Sequence, residues 1–120
     1  MDISISDFGD VGKKVTKKVT LTGKLDIVGA QQIEMPLATL AGARHNLVID
    51  MVGVDFIASI GIRQLILAAK AVARGAGRLV LLKPKPLIVD VLEISGLLDL
   101  LPIVQSEDEA RAALARPAST

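Results

Sequence analysis

The sequence contains no cysteine, no tryptophan and no tyrosine, and its aromatic residues are Phe8 and Phe56 alone. Without thiols, neither a disulfide nor a thiolate zinc site can form, and a cysteine-free chain fits a reducing compartment. With so few rings there is no platform on which nucleobases could stack. Charge of one sign is not in excess either: 14 Lys and Arg against 13 Asp and Glu give a formal net charge of +1. The basic stripe by which proteins neutralise phosphates is therefore not expected. Long apolar runs are missing as well, since none approaches the roughly 18 residues that span a bilayer. The opening "MDISISDFGD" has neither the positive segment nor the apolar segment of a secretory signal. Together these absences predict a cytoplasmic protein with no nucleic-acid partner and no direct membrane insertion.

What the sequence has in quantity is aliphatic side chain. Hydrophobic residues make up 51% of the 120, so the core must be built from Leu, Ile, Val and Ala. The length suits one domain with one hydrophobic core, spanning 1–120.

Periodicity divides the chain into strands and helices. "VTKKVTLT" (15–22) alternates, with Val15, Lys17, Val19 and Leu21 on one face and Thr16, Lys18, Thr20 and Thr22 on the other. The Gly- and Asp-containing "DFGDVGKK" before it reads as a hairpin turn, with "ISIS" as the partner strand. The lysines of "KKVTKK" suit a solvated sheet edge. Asp26 is placed to cap a helix running to about Leu40, with Ile33, Leu37 and Leu40 on the core side and a kink or break at Pro36. "NLVID" (46–50) reads as a short buried strand, "DFIAS" as a loop, and Ile60–Arg74 as a helix. That helix would bury Ile62, Leu65, Ile66, Ala69 and Val72 and be stopped by "GAG" (75–77).

"RLVLLK" (78–83) is a second buried strand. Pro86 suits the first turn of the next helix and Gly96 its C-terminal cap. A short strand near Pro102–Val104 precedes a helix opened by the capping box of Ser106 and Glu109 and running through Leu114. The tail "RPAST" is expected to fray. The pattern as a whole is an α/β domain with a largely parallel sheet preceded by an antiparallel pair.

Enzyme chemistry finds little support. The single histidine, His45, lies in a polar turn and reads as solvent-facing, with no nucleophile assigned to it. Neither a G-x-x-x-x-G-K-S/T loop nor a G-x-G-x-x-G turn occurs. Asp50 at a strand end and Lys83-Pro84 at a later one superficially suggest a receiver domain. Only one helix and one strand separate them, which is one strand-helix unit too few.

Ser59 stands apart. It lies where an apolar extended run gives way to a helix, a position at which a serine oxygen commonly accepts a bond from a first-turn N–H. The same position favours an added phosphate, because free N–H groups and the helix dipole attract anions. On local chemistry both readings stand.

"TGKLD" (22–26), "LVIDMVGVDFIASIGI" (47–62), "GAGRLVLLKP" (75–84) and "ISGLLDLLPIVQSEDEA" (94–110) together resemble the STAS family, and in particular its stand-alone bacterial anti-sigma factor antagonists. The resemblance covers about 15–115. It implies a mixed, mostly parallel sheet of four or five strands with flanking helices. Family members carry Asp-Ser-Ser-Gly or Asp-Ser-Thr-Gly at the turn, the first hydroxyl being phosphorylated. Matched on Phe56 and Gly61, that residue is Ser59, with Ala58 in place of the Asp and Ile60 in place of the second hydroxyl.

The resemblance further implies a partner-switching regulator. Unmodified, it would bind an anti-sigma factor that is also a serine/threonine kinase; phosphorylation of Ser59 would release it, and a phosphatase would reset it. The chain would be neither enzyme nor cofactor carrier. Asp26, Ile57, Ala58, Ile60, Gly61 and Arg63 would form the partner surface. Two other readings remain open: an unphosphorylated STAS adaptor, such as the cytoplasmic subunit of a lipid-transport ATPase, and a small-molecule sensor, which would need a pocket.

Overall fold

The computed structural model describes residues 1–115; the "RPAST" tail lies outside them. Its elements run β1 (Asp2–Asp7), β2 (Thr16–Leu25), α1 (Ile27–Gly42), β3 (Asn46–Ile57), α2 (Ser59–Arg74), β4 (Leu79–Leu82), α3 (Pro86–Ile94), β5 (Ile103–Val104) and α4 (Glu107–Ala115). The strands form one sheet in sequential order, β1 to β5, with β1 antiparallel to β2 and all other pairs parallel. This is the predicted α/β architecture with an N-terminal antiparallel pair.

Alternation along the strands divides the interior into two layers. Leu47, Ile49 and Met51 of β3 and Leu79 and Leu81 of β4 pack with Ile33 and Leu37 of α1, Leu65 and Val72 of α2 and Ile88 and Leu92 of α3. On the opposite face Val48, Val80, Leu82 and Val104 meet Phe8 and, from α4, Ala110 and Leu114. All of β4 is buried, as expected of a parallel strand covered on both faces. Phe8 also carries the Arg111 guanidinium 4.3 Å above its ring centroid.

Several sequence expectations are corrected. The lysines of "KKVTKK" do not mark a sheet edge: β2 lies between β1 and β3, and β1 is the edge strand. Lys17 pairs with Asp7, and Lys18 with Glu107 and Asp50. The face assignment fails at the start of β2, where Val15 is 42% exposed and Thr16 is buried. Val15 lies just before β2, while Asn46 satisfies the buried Thr16 hydroxyl. Its buried amide donates to the Thr16 hydroxyl and the Val11 carbonyl, and its Oδ1 accepts from the Arg78 N–H.

Pro36 does not break α1, which continues to Gly42. A helical proline forfeits one main-chain bond, and burial of Ile33, Leu37 and Ala41 on either side of Pro36 holds the flanking turns. Leu40 on α1 and Ile62 and Ile66 on α2 are half-buried and pack against the core from the expected side. His45 is half-buried rather than solvent-facing, with Nδ1 buried and unpartnered among the described residues.

The later helix ends behave as expected. Pro86 opens α3. At its close, Gly96 at φ +70° donates to Glu93 O while Leu97 N donates to Leu92 O, a Schellman closure. Ser106 caps α4 by accepting from Glu109 N at 3.1 Å, and the Glu109 carboxylate reaches back to Gln105 N.

"DFIAS" is the largest departure. Through Ile57 it is strand, because β3 goes on pairing with β2 as far as Leu25↔Ile57. The ladder shifts register twice, between Thr20 and Thr22 and between Gly23 and Lys24. At each shift β3 holds one more residue than β2, as in a bulge. The shift changes the phase of burial, so that Met51 and Val54 are both buried while Val52 and Phe56 stay exposed. Period-two reasoning cannot follow a strand through such a change.

Candidate functional site

The β2–α1 and β3–α2 junctions sit side by side at the carboxyl end of the parallel strands, since Leu25 pairs with Ile57 at the last rung. This is where open α/β sheets commonly place their binding residues. The Ala58 N–H donates to the Leu25 carbonyl at 3.0 Å, tying one junction to the other.

Each junction turns into a helix at close quarters. A Cβ added at Gly29 would lie 2.3 Å from Lys24 O, and one at Gly61 would lie 2.6 Å from Leu25 Cγ and 2.7 Å from Leu25 O. Real Cβ atoms do not approach so closely, so both helices can leave the sheet on these paths only with glycine there. Asp26 caps α1 as predicted: its Oδ1 accepts from Gly29 N at 2.9 Å.

Ser59 does not cap α2. The cap position belongs to Ala58, which is extended at φ −97° and ψ 167° and has no side-chain acceptor to offer. Ser59 is instead the first residue of the helix, exposed, and its hydroxyl makes no hydrogen bond among the described residues. The hydroxyl is therefore not engaged in the structural task that the sequence suggested for it.

The other expected site residues surround it. Ile57, Ala58 and Ile60 are half-buried, Gly61 is buried, Arg63 is exposed and Asp26 is half-buried at the neighbouring junction. Sequence reasoning missed several exposed apolar side chains at the same end of the sheet. Ile27 and Val28 in the first turn of α1 are 64% and 60% exposed, Phe56 is 48% exposed, and Leu87 in the first turn of α3 is 69% exposed. The signal for Ile27, Val28 and Leu87 was present in the sequence, as apolar residues in the first turn after a helix cap, where polar residues are commoner.

An ion pair stands at this end. Lys85, just before α3, bonds to Asp55 on β3, and this bond with the attraction of the Lys85 charge holds the Asp55 carboxyl below its ordinary range. No group of three or more metal-ligating side chains occurs among the described residues. A groove of about 390 Å³ lies elsewhere, between α1 and α2, lined by Leu37, Ala41, Leu67, Ala68, Glu34 and Arg74 among others.

Residues 11–110 match the STAS domain family. The chain belongs to that family. It is 36% identical over 94 residues to BtrV of Bordetella bronchiseptica, provisionally named an anti-sigma factor antagonist; the match covers 78% of this chain and 81% of BtrV. Its fold is similar to that of the anti-sigma factor antagonist SpoIIAA in unphosphorylated form, with a TM-score of 0.75 at 22% identity, covering 93% of this chain and 96% of that one. The phosphorylated form of SpoIIAA, a Bacillus cell fate determinant, matches with a TM-score of 0.66 at 20% identity over 92% and 99%. Among the described residues no helix is long and apolar enough to cross a membrane.

Proposed function

We propose that this chain is a single-domain anti-sigma factor antagonist whose partner binding is switched off by phosphorylation of Ser59. The observation that carries the reading is the exposed Ser59 hydroxyl, unbonded among the described residues, at the first position of α2. Family membership and the naming of BtrV support the antagonist role.

The partner would be an anti-sigma factor with serine/threonine kinase activity, which supplies ATP, metal and catalytic base; a phosphatase would restore the hydroxyl. Ile57, Ala58 and Ile60, joined by Phe56, Ile27 and Val28, would form the apolar contact, and Gly61 would let the α2 backbone approach closely. Asp26 caps with one carboxylate oxygen and leaves the other for a basic partner residue. Arg63, exposed one turn into α2, would lie at the border of the contact. A phosphate on Ser59 adds roughly −1.5 to −2 charges. The first-turn N–H groups, lacking a side-chain cap, would accommodate it without loss of the fold. In the complex the same charge would be stripped of water against apolar side chains, and every 1.4 kcal/mol of that penalty weakens binding about tenfold.

The test is phosphosite mapping after incubation with the cognate kinase and ATP, alongside a Ser59→Ala control. Modification at Ser59 alone is expected. Modification elsewhere, or none, sinks the assignment.

Ala58 and Ile60 favour one further reading, since they place methyl groups where the family's turn is polar. An adaptor that is never phosphorylated, for example on a lipid-transport ATPase, would use the same apolar face. Capture of a transporter ATPase by the tagged chain, with Ser59 unmodified, would select it.

A further inference from the structure

We propose that the outer edge of β1 is a self-association surface, along which two copies of this chain pair antiparallel about a twofold axis at Ser4. β1 is a six-residue edge strand, and its outer side has no partner among the described residues. It has no lysine, no proline and no register shift against β2, and its charged residues, Asp2 and Asp7, stand only at its two ends.

The hydrogen-bonding phase of the free edge follows from β2. Phe8 N donates to Thr16 O at 3.0 Å, which makes Phe8 and Thr16 a hydrogen-bonded pair of the antiparallel ladder. Such pairs alternate with non-hydrogen-bonded ones. Ser6, Ser4 and Asp2 thus bond toward β2, opposite Lys18, Thr20 and Thr22. Ile3, Ile5 and Asp7 turn their N–H and C=O groups outward.

Side-chain pattern then selects the partner and the register. Ile3 and Ile5 share with Leu21 and Val19 the face that α1, α2 and α3 cover, and Ser4 and Ser6 lie on the other face. An antiparallel copy centred on Ser4 sets Ile3 opposite Ile5 on both sides of the axis. These are the residues whose main-chain groups point outward, so bonding phase and apolar match agree. Ile5, 47% exposed in the free chain, gains an isoleucine directly opposite it.

Charges agree with the same register. Parallel pairing in register would place Asp2 on Asp2 and Asp7 on Asp7. Antiparallel pairing centred between Ser4 and Ile5 would oppose Asp2 to Asp7 and mismatch the faces. Centring on Ser4 sets Asp2 opposite Ser6, so that no two carboxylates face each other across the axis. The contact uses the same surface of both copies and closes on itself, as an isologous interface must.

The absence of cysteine makes the test clean. Ser4 faces its own counterpart in a non-hydrogen-bonded pair, where Cα atoms approach within disulfide range. Ser4→Cys is expected to form a covalent dimer under mild oxidation, and Ser6→Cys, opposite Asp2, to form it far more slowly. The unmodified chain should double its mass with rising concentration in light scattering. Ile5→Pro, which deletes an outward donor and leaves the bonds to β2, should stay monomeric. Equal cross-linking of the two cysteine variants, or a chain monomeric from micromolar to millimolar concentration, overturns the proposal. Should Ile5→Pro fail to fold, the cysteine pair still decides.

Discussion

Leu25 and Gly61 meet so closely that a methyl group on the Gly61 Cα would lie 2.6 Å from Leu25 Cγ. The contact sets where α2 departs from the sheet, and with it the position of Ser59 two residues earlier. Gly61→Ala should therefore destabilise the fold by about 1–3 kcal/mol, the usual range for forcing atoms into a packed site. Denaturant titration measures it, and a loss within experimental error would show that Leu25 yields more easily than its burial suggests.

The two junctions make opposite predictions for alanine. Asp26→Ala removes an observed cap and should cost about 1 kcal/mol. Ser59→Ala removes an exposed hydroxyl with no bond among the described residues, and should stay within about 0.5 kcal/mol of the parent. Thermal melts of the pair test this directly. Comparable losses would restore Ser59 to the capping role denied to it here.

Ser59→Asp should fold as the parent does, because a carboxylate suits the first turn of a helix. On the proposed switch it should bind the anti-sigma partner at least tenfold more weakly, which corresponds to about 1.4 kcal/mol. Titration calorimetry against that partner reads the change. Undiminished affinity would contradict the mechanism while leaving family membership untouched.

Acid should loosen α4 from the sheet. The Lys18 ammonium lies 3.0 Å from the Glu107 carboxylate and 3.7 Å from that of Asp50. Its hydrogen bond, and then its charge, holds the Glu107 pKa below the ordinary 4.5. The bond to Glu107 likewise raises the Lys18 pKa above 10.5, against the opposing effect of burial. A lowered carboxyl pKa stabilises above its unfolded value and stops doing so as pH falls through the folded one. A raised lysine pKa stabilises below its unfolded value and is lost as pH rises through the folded one. The pair thus contributes across the neutral range and weakens at both extremes. The Glu107 side chain is 53% exposed, so screening keeps the effect small. Glu107→Gln should flatten the acid limb of a stability–pH profile, and added salt should do the same to the parent. An unchanged acid limb would show that other carboxylates dominate it.

Much of the fold was readable in the sequence because local signals agreed. Pro86 and Gly96 bracket α3, Ser106 and Glu109 open α4, and Asp26 caps α1, each through chemistry confined to a few neighbouring residues. The misreadings share one cause. Thr16 is buried where Asn46, 30 positions further along, hydrogen-bonds its hydroxyl. "DFIAS" remains strand because β2 is there to pair with it, and Pro36 is tolerated because its helix is held by the sheet beneath. In every case a distant partner outweighed local preference.

The sequence by itself determined the alternation of strands and helices, the aliphatic core and the position of Ser59 at the mouth of a helix. Segment order and helix punctuation suffice for these, because apolar periodicity and capping act over a single turn or a few rungs. Only the tertiary structure decided what Ser59 is there for locally. The Leu25–Ala58 bond and the Leu25–Gly61 contact bring α2 in one residue earlier than capping would require, so Ala58 takes the cap and the serine begins the helix. Tertiary structure also placed Ile27, Val28, Phe56 and Leu87 at the same end of the sheet and left β1 at its border. Exposure belongs to the packed whole: which apolar side chains and which backbone edge remain uncovered depends on how every other element has been laid down.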